Sequence, residues 1–266
     1  MAKSLRIILL IVLIAAPIVF YKALNRKKGS NNIVLPLVQE ETRIDRPQIA
    51  LIFDNLGNSL TDLRQIYELG IPLTISVIPD LKFSRNIAHI GARSGFSVLI
   101  NLPLEPLEEN RNSNPKYKVI TGDLGNWEVD SLLRHYLNFI RIAIGVNSHK
   151  GSRATQDRRL MRNVLREVKR KNLVFIDSRT SPDSVAYKIA SKEGLVCGYN
   201  EDFLDWQNSP EEMSQQLEDL IIKANQKKKI IVIAHPKSET INFLKKQLPD
   251  LADRIEFITI RDYFEL

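Results

Sequence analysis

IALIFDNLG, at residues 49–57, decides the fold of this chain, because five apolar residues run straight into a carboxylate, Asp54. The pattern of a short apolar run that ends at a polar residue recurs four times further along the sequence. Amphipathic helical segments separate the runs, and this alternation is typical of parallel strands joined by helices. The later runs end at Asn101, at Asn147 with His149, at Asp177 and at His235.

A closed sheet is the architecture that this alternation predicts. About seven strand–helix units follow one another between residues 47 and 266, which favours a distorted (β/α) barrel of about seven parallel strands over an open sheet. Side chains just past the carboxyl ends of parallel strands point into the same mouth. We therefore expect two acids, two histidines and two amides to meet there as one site.

Composition and charge argue against disorder and against a nucleic-acid partner. The 266 residues are 44% hydrophobic, which is enough for a sizeable core. The formal net charge is +7, but six basic residues and no acidic residue lie in the first 30 positions. The remainder is nearly neutral, so the basic excess does not indicate nucleic acid. The single cysteine, Cys197, excludes a disulfide within the chain and leaves the redox compartment open.

The first 23 residues predict a signal anchor or transmembrane helix. An apolar run without charged side chains extends from Ile7 to Tyr21, and lysine and arginine flank it on both sides. Its length is at the lower edge of what spans a bilayer and also suits a signal-peptide core. No convincing cleavage site follows, so we expect an uncleaved inner-membrane anchor. A polar tether at 24–46 then leads to a barrel at 47–266 outside the cytoplasm.

Three side chains at the predicted mouth have the chemistry of proton transfer or metal binding. Asp54 suits a general base or a metal ligand, with capping of the next helix as the structural alternative. His235 is followed by Pro236, which fixes the backbone, and it suits a general acid unless it is a satisfied core histidine. His149 lies in a polar loop that contains glycine, where a functional role is more expected than burial.

Further polar residues near the strand ends are candidates for catalysis or for substrate binding. Asp177 and Arg179 could orient a histidine or bind a polar substrate, or they could pair with each other and close the barrel. The 103–125 segment is long, as functional loops often are. Trp206, next to Asp205, offers an aromatic surface for a sugar ring. The predicted substrate-binding residues are Glu105, Asn147, Arg153, Ser178 and Arg179, and Asp177 is counted with the catalytic residues.

Five segments occur in a recognisable order: ALIFDNLG at 50–57, VLINLPLEP at 98–106, GVNSHKGSR at 145–153, FIDSRT at 175–180 and AHP at 234–236. From about Gln48 onward they resemble the divergent polysaccharide deacetylase family, a branch of the carbohydrate deacetylase superfamily. The resemblance implies a distorted barrel that removes N-acetyl groups from an envelope glycan. It also implies a Zn²⁺ or another divalent metal held by His149 with Asp54, Glu105 or Asp177, a base at Asp54 and an acid at His235.

Two positions depart from the family pattern, which has two consecutive aspartates, one a metal ligand and the other the base, and a metal-binding histidine before Leu-Pro. This chain has Asn55 for the second aspartate and Asn101 for the histidine, and amide oxygens are weak ligands for Zn²⁺. Asp54 becomes a ligand only by giving up the role of base. The hypotheses are a hydrolase with a rebuilt site, or a weakened barrel that binds envelope glycan or a protein partner without turnover. A cytosolic barrel enzyme of another kind, with a false leader, is a third.

Overall fold

Strands and helices alternate along the part of the chain that the computed structural model describes, which is residues 46–108, 116–207 and 209–266. The strands are β1 Gln48–Leu56, β2 Thr74–Val77, β3 Ser97–Leu104, β4 Gly145–Lys150, β5 Val174–Asp177, β6 Cys197–Phe203, β7 Lys229–Ala234 and β8 Glu256–Ile258. The helices are α1 Leu60–Tyr67, α2 Ser84–Arg93, α3 Asn126–Phe139, α4 Arg158–Arg170, α5 Ala186–Lys192, α6 Pro210–Lys227, α7 Ser238–Leu251 and α8 Ile260–Phe264, with a 3-10 turn at Ala154–Gln156.

Strand β1 closes the sheet into a barrel. One edge of β1 pairs with β7, and the other edge pairs with β8 along its first half and with β2 along its second half. Every pairing between neighbouring strands is parallel, and the order continues from β2 through β7. Seven strands therefore form the closed barrel that the sequence predicts, and β8 pairs with the first half of β1.

Alternate residues of each strand face the barrel interior, because successive side chains of a strand point to opposite faces. In β1, Ala50 and Ile52 belong to the interior cluster, whereas Ile49, Leu51 and Phe53 pack in the larger cluster that includes the helices. Asp54 continues the interior row. The other members of the interior cluster are Leu99, Val174, Ile176, Phe203, Ile231, Ile233, Ile258 and Ile260.

The amino-terminal end of the barrel is covered by α8. The backbone N–H of Ile260 donates to the Thr74 hydroxyl at 2.8 Å, at the start of β2, and the Ile260 side chain is fully buried. The barrel is thus closed at this end, and its polar interior residues lie at the opposite mouth.

The predicted leader at 1–23 and the tether at 24–46, apart from Arg46, lie outside the described residues. Within the described residues, no helix is both long and apolar enough to cross a membrane.

Candidate functional site

A carboxylate, an imidazole and a second carboxylate form a row at the carboxyl ends of β1, β7 and β6. Nε2 of His235 lies 3.6 Å from Oδ1 of Asp54, and Nδ1 of His235 lies 2.8 Å from Oδ1 of Asp205. The His235 backbone N–H and the Thr240 hydroxyl both donate to Oδ2 of Asp205. Asp205 therefore fixes the imidazole with Nδ1 protonated, and the Nε2 atom faces Asp54.

Asp54 is a buried carboxylate with an unsatisfied oxygen. The residue is 4% exposed, and Oδ1 has no hydrogen-bond partner within the described residues. Burial raises the pKa of Asp54 to about 7, because removal from water penalises the charged form more than the positive charge of His235 favours it. The carboxyl group thus exchanges its proton near neutral pH, which is the range suited to a general base.

The pKa of His235 is raised and the pKa of Asp205 is lowered. Burial disfavours the imidazolium of His235, but the hydrogen bond to Asp205 and the charges of Asp54 and Asp205 outweigh burial and raise its pKa. Burial also disfavours the charged form of Asp205, yet the hydrogen bonds and the charge of His235, with the Thr240 hydroxyl, lower the pKa of its carboxyl group. The row can therefore hold a proton on His235 Nε2 or on Asp54.

A second cluster adjoins this row and is built around the side-chain amide of Asn101. Its Nδ2 donates to Oδ1 of Asn55 at 3.0 Å and lies 3.4 Å from Nδ1 of His149. Asn55 adopts a left-handed backbone with φ of 61°, which places its side chain beside the mouth, and asparagine tolerates this conformation better than most residues. The NH₂ group of Asn101 thus lies between Asn55 and His149, the other two residues at the metal-binding positions that the sequence resemblance implies.

Buried polar side chains hold the amide of Asn101 in this orientation. Asn101 and Asn147 are directly paired across β3 and β4, and Nδ2 of Asn147 donates to Oδ1 of Asn101 at 3.0 Å. The same Nδ2 donates to the Ser178 hydroxyl, while the Ser76 hydroxyl donates to Oδ1 of Asn147. Exchanging O and N in Asn101 would set two NH₂ groups against each other, so the network defines one arrangement.

His149 is neutral in this cluster. Burial, with the positive charges of Lys150 and His235, lowers the pKa of His149 to about 3. Because Asn101 donates to Nδ1, the ring proton lies on Nε2, which donates to the Tyr117 hydroxyl at 2.9 Å. Both ring nitrogens are therefore engaged by protein groups.

These residues do not fit a zinc site. Zn²⁺ prefers imidazole, thiolate or carboxylate ligands, whereas the positions beside His149 carry neutral amides. A cation bound to Asn55 Oδ1 and His149 Nδ1 would have to displace the NH₂ group that both atoms accept from. Across the described residues, no group of three or more His, Cys, Asp or Glu side chains could hold a metal ion.

Asp177 points away from the barrel interior, in the same outward row as Phe175. Its Oδ2 accepts from the Ser184 hydroxyl at 2.7 Å and from the Tyr187 backbone N–H, and its Oδ1 accepts from the Arg179 backbone N–H. These contacts hold the turn that leads into α5. They favour a structural role for Asp177 over the catalytic role that the sequence suggested.

The residues predicted to bind substrate divide into buried and exposed groups. Asn147 and Ser178 are 0% and 1% exposed, so they support the Asn101 amide from below and do not offer a surface to a substrate. Glu105 accepts from the Gly122 N–H and pairs with Arg153 at 3.4 Å, which ties two loops together near the mouth. The guanidinium of Arg179 stacks over Tyr199, 4.3 Å from the ring centroid.

Two site residues were not predicted from the sequence: Asp205, which orients His235, and Ser76, which donates to Asn147. Asp205 follows β6, which extends to Phe203. The ring of Phe203 stacks parallel to that of His235 and also contacts Trp206, which is 71% exposed. The sequence did suggest a sugar-binding surface at Trp206, and the structure places this ring one aromatic contact away from His235.

A closed parallel barrel with an acid–base row and an amide-filled cluster at its mouth defines a deacetylase-like barrel. The family model described as "Divergent polysaccharide deacetylase" matches residues 51–264, and the chain belongs to this family. The chain is 29% identical over 215 residues to an uncharacterized protein of Haemophilus influenzae, covering 79% of this chain and 74% of that protein. It is 26% identical over 212 residues to the uncharacterized protein YibQ of Escherichia coli, covering 79% of this chain and 65% of YibQ.

Among solved structures, an uncharacterized protein from Agrobacterium tumefaciens superposes with a TM-score of 0.74 at 20% identity. The match covers 82% of this chain and 89% of that one. At this identity the likeness supports the fold alone.

Proposed function

We propose that this protein is an exported, membrane-anchored barrel that binds a glycan of the cell envelope in its mouth without metal-dependent deacetylation. The observation that carries the proposal is the NH₂ group of Asn101, which donates towards both Asn55 and His149 where the family pattern has metal ligands. The amide cluster beneath the mouth is neutral, and its NH₂ group is already engaged by Asn55 and His149. It does not supply the activated water that metal-dependent hydrolysis needs.

Membership of a polysaccharide deacetylase family and the aromatic lining of the mouth support a sugar ligand. Trp206 is 71% exposed and packs at a tilt against Phe203, which in turn stacks on His235. An exposed indole beside a polar cleft suits stacking on the apolar face of a pyranose ring. The basic flanks of residues 7–21 support export and anchoring, and the near-neutral remainder of the chain gives nucleic acid no electrostatic footprint.

A second candidate is hydrolysis without a metal, which the acid–base row favours. Asp54, with a pKa of about 7 and an unsatisfied Oδ1, would accept a proton from an attacking water. His235, protonated at Nε2 and oriented by Asp205, would donate a proton to the leaving nitrogen. General acid–base catalysis typically contributes about 10²–10⁴-fold in rate, so turnover by this route would be slow.

The experiment uses the full-length protein in detergent micelles and chitotetraose as the probe. Binding is measured by calorimetry, and acetate release is followed over the same concentration range. We expect binding that Trp206→Ala weakens about tenfold and that Tyr67→Ala, a change at an exposed aromatic residue on α1, leaves unchanged.

The two candidates separate in the acetate measurement. Binding without acetate release supports the first candidate. Acetate release that persists in EDTA and disappears in Asp54→Asn supports the second. Acetate release that requires a divalent metal would contradict both, and so would the absence of binding.

A further inference from the structure

An open cleft beside the mouth contains the other tryptophan of the chain. Trp127 lies in the first turn of α3 and is 76% exposed, which is unusual for the side chain with the largest apolar surface. Glu128 fixes this turn, because its carboxylate accepts the Gly125 N–H at 2.9 Å. The indole is therefore presented from a rigid helix start.

The cleft has a volume of about 930 Å³, near the upper end of the range of roughly 300–1,000 Å³ that is common for small-molecule sites. Tyr117 lines it, and the Tyr117 hydroxyl contacts Nε2 of His149, so the cleft opens from the polar cluster of the mouth. On its other side, Nε2 of His135 lies 2.9 Å from both carboxylate oxygens of Asp80. This pair offers hydrogen-bonding groups opposite an aromatic platform, which is the chemistry of a sugar subsite.

The charged side chains that line the cleft indicate which kind of sugar it would bind. The exposed side chains of Lys116 and Lys118 line the cleft on either side of Tyr117. The two acids of the lining are committed to protein contacts, Asp80 with His135 and Glu128 with the Gly125 N–H. The lining is neutral overall, but its lysines flank Tyr117, whereas Asp80 faces His135 and Glu128 faces the helix start, so a carboxylate on a sugar beside Tyr117 would be complemented there.

We propose that this Trp127 cleft is a subsite for a carboxylate-bearing pyranose of an oligosaccharide whose neighbouring unit occupies the mouth. The inference rests on the proposed function, since it extends the same glycan along the surface from His149 through Tyr117. Muramic acid and uronic acids share the required chemistry, a six-membered ring with an apolar face and a carboxylate.

Calorimetry on the full-length protein in detergent micelles tests the subsite with three tetrasaccharides. They are alternating N-acetylglucosamine and N-acetylmuramic acid, neutral chitotetraose, and tetragalacturonate. We expect the muramic acid oligomer to bind at least tenfold more tightly than chitotetraose. Trp127→Ala weakens binding of the muramic acid oligomer about tenfold, Trp127→Phe restores most of it, and Tyr67→Ala is the matched control for loss of an exposed aromatic ring.

The lysines are tested by Lys116→Gln with Lys118→Gln, which removes the preference for the acidic oligomer but leaves chitotetraose binding unchanged. Comparable binding of tetragalacturonate supports the subsite with uronic acids as ligands, and selective binding of the muramic acid oligomer supports it with muramic acid. Wild-type binding that none of these variants changes would overturn the subsite alone. The absence of binding to all three oligomers would overturn the proposed function and the subsite together.

Discussion

Asp54 is a residue that folding alone would not select. A carboxylate that is 4% exposed with one oxygen unsatisfied destabilises the folded chain when it is charged, whereas an apolar residue there would continue the interior row of Ala50 and Ile52. Such costs are characteristic of functional positions, where activity opposes stability. The same reasoning does not apply to Asp177, whose oxygens are fully engaged.

The side chain at position 101 decides whether this cluster can bind a metal ion or is filled by an amide. Replacing Asn55 by Asp and Asn101 by His in the same chain supplies one carboxylate and, with His149, two imidazoles, and it removes the NH₂ group between them. We expect the double variant to retain about one Zn²⁺ per chain after dialysis and the wild type to retain none, because these ligand types are the ones zinc prefers. Elemental analysis of the dialysed proteins measures the difference.

The control for this prediction adds His149→Ala to the double variant, which should lose the ion again. Retention of one Zn²⁺ per chain by the wild type as well as by the double variant would contradict the amide-filled cluster. It would mean that the Ser76, Asn147 and Asn101 network rearranges around a cation.

At the scale of elements, the order of strands and helices was predictable from sequence and the facing of each strand was not. The apolar runs of parallel strands are buried on both faces and show no alternation, so nothing in 173–177 distinguishes the inward Ile176 from the outward Asp177. Strand β4 extends to Lys150, so Asn147 and His149 are two apart inside the strand and share its inner face. Their meeting with Asn101 could be predicted, but not the hydrogen bonds between them.

Strand β6 shows why Asp205 escaped prediction. The pairing of β6 with β7 shifts register between Asn200 and Asp202, so the alternation on either side of this irregularity is out of phase. The residues at 200–202 are also polar, so the sequence there lacks the apolar run that is typical of a buried parallel strand. The sequence pattern therefore does not place the apolar Phe203 in a strand or the buried Asp205 beyond it at a strand end.

Asp205, which follows β6, holds His235, which follows β7, by a hydrogen bond to Nδ1. The Asp205→Asn variant tests this coupling. The amide keeps the shape of the carboxylate but removes its charge, so the pKa of His235 should fall, because a hydrogen bond and an attraction that raise it are lost. We expect a loss of about 1–3 kcal/mol in the free energy of unfolding, since the NH₂ group of Asn cannot accept the His235 N–H and Thr240 hydroxyl that donate to Oδ2 of Asp205. NMR titration of the His235 ring measures the pKa, and chemical denaturation measures the stability.

Asp202→Asn on the same strand is the control for that measurement. Asp202 pairs with Lys223 at 3.4 Å on the barrel surface, so its replacement should leave the titration of His235 unchanged. A His235 pKa that is the same in wild type and Asp205→Asn would show that Asp205 only holds the loop.

The barrel as a whole has one apolar end, closed by Ile260 and α8, and one polar mouth, and the mouth makes the stability of the barrel depend on pH. The pKa of Asp54 is about 7 in the folded chain against 3.8 for the free side chain, so the folded state binds the extra proton between these values. The wild type should therefore lose stability as pH rises from about 4 to 7. Asp54→Asn should be no more stable at pH 4 and about 2–4 kcal/mol more stable at pH 8.

Urea denaturation of residues 45–266, which form one compact unit, measures this difference at pH 4, 6 and 8. Asp253→Asn, at an exposed position, is the matched control and should differ from the wild type by the same small amount at every pH. A constant difference between Asp54→Asn and the wild type across the range would contradict a carboxyl group that titrates near neutrality. A difference that grows through this range would show that the barrel keeps a destabilising charge at its mouth, as a proton-transfer site requires.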